Sequence, residues 1–376
     1  MSEQTGTLDL RGLGRQALTD FLVERLGMPR YRGDQLFQWL HFRRQPEFGA
    51  MTNLPADLRE RLEELDPPRP LTLDRTHCSS DGTMKFAFRT HDGHLIESVY
   101  IPEWDREERA AGAAGEVPPT RKTLCVSSQV GCAMGCAFCM TATLGLVRQL
   151  SASEIVAQVH AVNDLLVEEG LKGPRPLTNL VFMGMGEPLH NYEALKSALD
   201  VLLDPMGPDF SHRHVTVSTA GLVPQLERLG RETEVKVALS LTGTTDEVRD
   251  HLMPLNRRWP LAEVIRTCRN LPTRRGRRVT IEYVLLAGVT DELEDADRLA
   301  DLLADLPAKV NLIAFNEVEP GVGDDGHSGP FMFRRPGDDR IEAFRARLER
   351  RGLTAVIRRS RGRDIDAACG QLAARG

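Results

Sequence analysis

The sequence predicts an α/β fold, an incomplete parallel (β/α)6 barrel with a small helical N-terminal accessory domain. Three observations carry this. From residue 123 onward, short apolar runs suited to buried strands alternate with amphipathic segments suited to helices. Upstream, residues 13–65 place apolar side chains at three- and four-residue spacing. Just after the first of these strands lies a loop with a C-x3-C-x2-C triplet, Cys132, Cys136 and Cys139, accompanied by Gly131 and Gly135.

The elements follow in order. LGRQALTDFLVERLG, RGDQLFQWLHFRR and PADLRERLEEL read as three short helices, within an accessory domain over residues 1–70. MKFAFRT, the turn HDGH and LIESVYI read as a hairpin, because Asp-Gly supports a tight turn. The Ala/Gly/Glu/Pro-rich stretch 103–120 reads as a mobile loop, so that 71–122 form a hairpin and linker. TLCVSSQ, NLVFMGM, HVTVSTA, VKVALSL, TIEYVLL and KVNLIAF read as six parallel strands. SASEIVAQVHAVNDLL and DELEDADRLADLLADL are among the helices between them. The helix DDRIEAFRARLERRG and the strand TAVIRRS close the barrel unit, residues 123–376, which ends in a loop bearing Cys369.

This order has a chemical consequence. The cysteine loop follows the first strand, Gly184–Pro188 ends the second, Ser218 the third and Ser240 the fourth, and Asn316 follows the sixth. Reacting groups of parallel barrels gather at the carboxyl ends of the strands. All these positions are therefore expected at one mouth.

Three thiolates on one loop can hold three irons of a [4Fe–4S] cluster and leave the fourth iron open to a ligand. A zinc site would need a fourth ligand in paired spacing, and the other cysteines, Cys78, Cys125, Cys268 and Cys369, form no second pair of that kind. Seven cysteines is an odd count, and no segment resembles a secretory signal, so a disulfide framework is not expected. A reducing cytoplasm suits such thiols. No apolar run is long enough for a transmembrane helix, so no membrane partner is expected.

The net charge of -6 does not suggest a nucleic-acid binder, but its distribution does. Segment 257–278 carries eight Arg against Glu263 alone, and 334–363 carries eleven Arg among scattered acids. Arg grips phosphate in a bidentate way. Solvated helix faces would give the same pattern.

The triplet, the strand-end GMGEP and the barrel pattern together resemble the radical S-adenosylmethionine (SAM) superfamily. LCVSSQVGC, VFMGMGEPLHNY, VTVSTAG, VNLIAFN and the tail SRGRDIDAACGQL are similar to the RlmN/Cfr family of RNA adenine methyltransferases. YRGDQLFQWL, MTNLP and LIESVYIP extend the resemblance over residues 30–372.

The resemblance implies a radical-SAM barrel, one [4Fe–4S] cluster held by Cys132, Cys136 and Cys139, and SAM as co-substrate. It implies SAM contacts from Gly186, Glu187, Ser218, Ser240, Leu241, Thr242 and Asn316. It implies that Cys369 carries the methyl group, that Glu97 accepts a proton from the base, and that Cys125 releases the product through a transient disulfide with Cys369. Two cysteines are needed for that exchange, one carrier and one resolver. The implied substrates are 23S ribosomal RNA and tRNA, with methylation at adenine C2, an electron donor such as flavodoxin, a monomeric state and an RNA-contacting role for the N-terminal domain. C8 methylation as in Cfr shares the same motifs, and a divergent paralogue acting on another RNA is a further reading. Three stretches depart from the family pattern: Thr242 stands where His is usual, Glu317-Val318-Glu319-Pro320 follows Asn316, and MTATLGLVRQ follows Cys139.

Overall fold

The computed structural model of the protein describes residues 8–67, 69, 71–104, 119–170, 175–272, 278–318 and 329–373. The linker centred on 105–118 and the pair Glu319-Pro320 lie outside them.

Twelve strands are present among the described residues. They are β1 (Thr72–Cys78), β2 (Met84–Arg89), β3 (Leu95–Glu103), β4 (Arg121–Cys125), β5 (Gln129–Gly131), β6 (Leu146–Gln149), β7 (Asn179–Phe182), β8 (Val215–Thr219), β9 (Lys236–Ser240), β10 (Val279–Leu285), β11 (Ala308–Ala314) and β12 (Ala355–Arg358). Ten of them form one sheet in the order β1-β2-β3-β4-β7-β8-β9-β10-β11-β12. β1 to β4 pair antiparallel. From β4 onward every pairing is parallel.

The six expected barrel strands are all present, and β12 adds a seventh by pairing with β11, Val310 opposite Ala355. The hairpin at 84–101 is also present, with Ala87 opposite Glu97. β1 is not among the expected strands. Its side chains are almost all exposed, so it carries little of the apolar alternation that marks a strand in sequence. It is held by pairing to β2, at the edge of the sheet. The sheet does not close, since β1 and β12 are its two edges. It does curl, because one cavity is lined by side chains from β3, β4, β7, β8, β10, β11 and β12. This is the incomplete barrel.

Helices cover the outer face. Ala152–Glu168 begins with a capping box, in which Ser151 Oγ accepts the Glu154 N–H at 3.2 Å and the Ser151 N–H donates to Glu154 Oε2 at 2.9 Å. Its inner face supplies Ile155, Val159 and Val162 to the core, together with one polar residue, Gln158. Gln158 Oε1 accepts from Ser98 Oγ at 2.8 Å and Ser127 N at 2.9 Å, and its amide donates to Ser127 O at 3.0 Å. A buried polar side chain so fully paired fixes one arrangement of the backbone. Here it fixes the end of β4 from which the cysteine loop departs.

The N-terminal segment forms the expected helices, Arg15–Leu26, Tyr31–Phe37 and Ala56–Leu65. The second continues as a π-helical turn through Phe42, placing His41 in the interior. His41 stacks near Phe37 and 5.6 Å from His160 of helix Ala152–Glu168. Arg15–Asp204 at 2.9 Å and Arg44–Asp164 at 2.6 Å add polar ties to the barrel unit. None of the described helices is long and apolar enough to cross a membrane.

Candidate active site

The cysteine loop is built by β5 and β6, a ribbon that sequence patterning does not reveal because each strand has only three or four residues. Gly131 turns the chain at φ +75°, and a Cβ there would lie 1.8 Å from the Gly145 carbonyl oxygen. Removing that side chain lets the Cys132 N–H bond to Gly145 O at 2.8 Å. Further on, the Ala137 N–H donates to Leu252 O at 2.9 Å, and the Cys139 N–H donates to Cys136 O at 3.1 Å. Gly131→Ala is expected to prize the ribbon open and lower iron per chain after reconstitution by about half or more, while far-UV circular dichroism is unchanged. Full iron loading in this variant would show that the ribbon does not define the site.

Cys132, Cys136 and Cys139 line one cavity of about 170 Å³. Burial, followed by the neighbouring thiols, raises Cys136 well above the ordinary range, and burial pushes Cys132 up to about 12. A metal bound here would displace their protons. Among the described residues, the only His, Cys, Asp and Glu groups with three ligand atoms all within 4.8 Å of one another are His91, Asp92 and Glu154. The three thiols are therefore spread wider than a single ion with bonds of about 2.3 Å would gather them. Sulfur-only donors at this wider spacing suit a multi-iron cluster.

The same cavity collects the strand ends. Gly186, Glu187, Ser218, Ser240, Thr242, Asn316 and Cys369 all line it. Gly186 adopts φ +98°, and a Cβ there would run into Gln129. Glu187 is buried; its carboxylate accepts Leu189 N at 3.1 Å and Ala220 N at 2.7 Å, and burial raises it to about 7. Ser218 Oγ and Ser240 Oγ are 3.4 Å apart. Thr242, at φ +24°, accepts the Val284 N–H on its Oγ1. Leu241, which follows β9, packs its side chain in the core and does not line the cavity, because the extended chain turns it away from Ser240 and Thr242.

Cys369 is brought to the cysteine loop from the far end of the chain by contacts to its backbone. Asn316 Nδ2 donates to Cys369 O at 3.1 Å, the Met140 N–H donates to Gly370 O at 2.8 Å, and Thr141 Oγ1 donates to Leu372 O at 2.6 Å. Cys125 lies buried in β4, and both thiols are free. Burial pushes Cys125 up to about 12; Cys369 adds to this and Arg358 opposes it. The two sulfurs and the Arg358 guanidinium thus share one neighbourhood. Glu97 lines neither cavity. Its carboxylate pairs with Lys85 at 3.2 Å and accepts the Ala373 N–H at 3.0 Å, so it clamps the C-terminal loop.

A second cavity of about 430 Å³ shares Met183, Glu282, Ile313, Asn316, Arg358 and Cys369 with the first. It is also lined by Arg121, Lys309, Arg359 and Arg361. Sequence reasoning missed Glu282 and Arg358; a carboxylate inside the apolar run VTIEYVL was the available signal. The Arg-rich tail divides in two: Arg359 and Arg361 line this cavity, whereas arginines on the preceding helix are paired with acids. Arg340, Arg347 and Arg351 pair with Glu292, Asp297 and Asp301 at helix Leu293–Leu302, and Arg345 pairs with Glu342 and Glu349 on its own helix, Asp338–Arg350, so this charge is neutralised locally.

Comparison with known proteins fits this geometry. The radical SAM superfamily profile matches residues 126–300, and that of the ribosomal RNA large subunit methyltransferase N-terminal domain matches 8–66. The chain is 54% identical over 373 residues to the dual-specificity RNA methyltransferase RlmN of Anaeromyxobacter dehalogenans, covering 98% of this chain and 93% of that protein. The chain belongs to the RlmN family. RlmN 2 of Myxococcus xanthus is 51% identical over 370 residues, covering 98% and 91% of the two chains. A radical SAM methyltransferase from Sphaerobacter thermophilus superposes with a TM-score of 0.82 at 44% identity, covering 97% and 99%. Radical SAM membership implies a [4Fe–4S] cluster and SAM, and this RlmN-type chain supplies a thiol triplet and a polar mouth that fit both.

Proposed function

We propose that this protein is a SAM-dependent radical RNA methyltransferase that methylates C2 of an adenine in 23S ribosomal RNA, and in tRNA, through a methyl-cysteine and a transient disulfide. The observation that carries the reading is the position of Cys369. It lines the cavity of the cluster thiols, and Cys125 and Arg358 lie within its electrostatic reach.

Cys132, Cys136 and Cys139 would hold the cluster. Glu187 would take the SAM amino group, and Ser218, Ser240, Thr242 and Asn316 its remaining polar groups, while Gly186 leaves room for it. Bound there, the two groups supply a methyl group and a hydrogen-abstracting radical. The chain's own residues do the rest. The amidine carbon of adenine is no nucleophile, so the methyl group rides first on the Cys369 sulfur. After losing a hydrogen atom, its carbon adds to the base carbon, and the odd electron left on the adduct would return to the oxidised cluster. Glu97 accepts the proton that the base releases; its hold on Ala373 places it against the loop that carries Cys369. The Cys125 thiolate, favoured by Arg358, then attacks the Cys369 sulfur, so that the bond from that sulfur to the transferred carbon breaks, the carbon takes up a proton to become methyl, and a disulfide is left on the protein.

The second cavity offers the base a way to Cys369, with Arg121, Lys309, Arg359 and Arg361 around it for phosphates. The N-terminal helices add RNA contacts, a donor such as flavodoxin supplies electrons, and the protein works as a monomer in the cytoplasm. RNA affinity is expected to fall about fiftyfold between 50 and 200 mM salt, for about four phosphate contacts. Arg359→Ala should lower both affinity and salt slope, whereas Arg347→Ala, already paired with Asp297, should change neither. Equal losses in the two variants would place the RNA elsewhere.

The direct test is an anaerobic reaction of reconstituted protein with SAM, a reductant and unmodified ribosomal RNA or tRNA, read by nucleoside mass spectrometry. 2-Methyladenosine is the expected product. 8-Methyladenosine would move the reaction to the other carbon, and SAM cleavage without methylated adenine would give the chain a different substrate.

A further inference from the structure

Arg249 is fully buried beside the cysteine loop. Among the described residues, no carboxylate oxygen pairs with its guanidinium within 4.0 Å. The guanidinium instead reaches carbonyls at two strand ends: Nη2 donates to Ala220 O at 2.6 Å, and Nη1 to Ser240 O at 3.2 Å and to Leu241 O. Nε donates to Asn256 Oδ1 at 3.1 Å, and Asn256 in turn donates to Asp246 at 2.9 Å and Asp250 at 2.7 Å. The nearest acids are thus held one side chain away. Burying a charge without a direct counter-charge is costly, so an anion is expected close by. Nη1 also donates to the Met253 sulfur at 3.1 Å, and Met253, Ala220 and Ser240 line the same cavity as Cys132, Cys136 and Cys139, with Cys136 packed against Met253 and Ala220.

We infer that Arg249 is a positioning residue whose buried positive charge offsets the negative charge of the thiolate-bound cluster and so eases its one-electron reduction. The inference rests on the site reading above. When a low-potential donor adds one electron, the cluster gains one negative charge, and a fixed cation nearby stabilises that state. Arg249 also joins the site mechanically. Its helix, Asp246–Leu252, ends in the carbonyl that holds Ala137 of the cysteine loop, while its guanidinium holds the strand ends that carry Ser240 and Ala220. Gly243, at positive φ, leaves room for Arg249, whose Cβ would lie 3.3 Å from a Cβ at that position.

Three variants separate charge from scaffold. Arg249→Met removes charge and hydrogen bonds, Arg249→Gln keeps donors without charge, and Arg249→Lys keeps charge but cannot span three carbonyls. The readout is the cluster midpoint potential from an anaerobic dithionite titration followed by electron paramagnetic resonance. At a fixed ambient potential, the reduced-to-oxidised ratio should fall at least tenfold in the Gln and Met variants, or about 59 mV for a one-electron couple. The Lys variant should stay within about threefold of the parent. If the Met variant does not fold, Gln against Lys carries the comparison. Cluster assembly in Lys but not in folded Gln would also support the charge role. Parent-like potentials in Gln and Met, equal shifts in Lys and Gln, or equal cluster loss in all three would leave Arg249 a purely structural tie. Failure of the parent protein to assemble a cluster would instead overturn the site reading itself.

Discussion

Cys125→Ala is expected to leave the protein covalently joined to its RNA. Disulfide formation needs a second sulfur able to attack Cys369, and Cys125 is the thiol whose charge is felt together with Cys369 and Arg358. It sits in β4 between Val99 and Val181, where alanine keeps the strand pairings intact. Cys369, the proposed methyl carrier, and Cys132, Cys136, Cys139 and Glu97 all remain. Chemistry should therefore proceed to the thioether and stop. Release of methylated base should fall about a thousandfold or more, about 4 kcal/mol in barrier. Denaturing gel electrophoresis with labelled RNA reads the result directly. A variant that turned over at the parent rate, without an adduct, would remove Cys125 from the release step.

Cys369→Ala is expected to abolish methylation altogether while the cluster and SAM cleavage persist. The reason is how its loop is held. Asn316, Met140 and Thr141 contact backbone carbonyls of residues 369, 370 and 372, and Ala373 meets Glu97 through its N–H. None of these bonds uses the Cys369 sulfur, so alanine keeps the loop seated. Product should drop below about one ten-thousandth of the parent rate, more than about 5 kcal/mol. Iron content and 5′-deoxyadenosine formation should stay near parent values. Loss of the cluster in this variant would mean that Cys369 supports the metal site rather than carrying the methyl group.

Much of this is legible in the chain itself. The triplet spacing, the strand-helix alternation and the tail around Cys369 each depend on local pattern, and the structure brings Cys132, Cys136, Cys139, Glu187, Ser218, Ser240, Thr242, Asn316 and Cys369 to one cavity. What stays hidden depends on contacts distant in sequence. Arg249 reads as an ordinary charge on a short helix; only the fold shows it threaded under two strand ends. Arg358 reads as one Arg in a basic strand, yet it reaches within 4.0 Å of Glu282 on β10. Charge counting overrates helix Asp338–Arg350, because the acids that neutralise it lie partly on another helix, Leu293–Leu302. Motif matching assigns Leu241 to the mouth although its side chain points away, while its carbonyl serves Arg249. Glu97 is marked by motif alone, and its partner Lys85 follows only from the β2–β3 pairing.

The reaction proposed for this site turns on one step: the transferred carbon travels by way of the Cys369 sulfur and loses one hydrogen there. Methyl-deuterated SAM tests it. If the carbon takes this route, one deuterium leaves with 5′-deoxyadenosine and the methylated adenine keeps two. A product that retains all three deuteriums would mean intact methyl transfer to the base, and would contradict the route through Cys369.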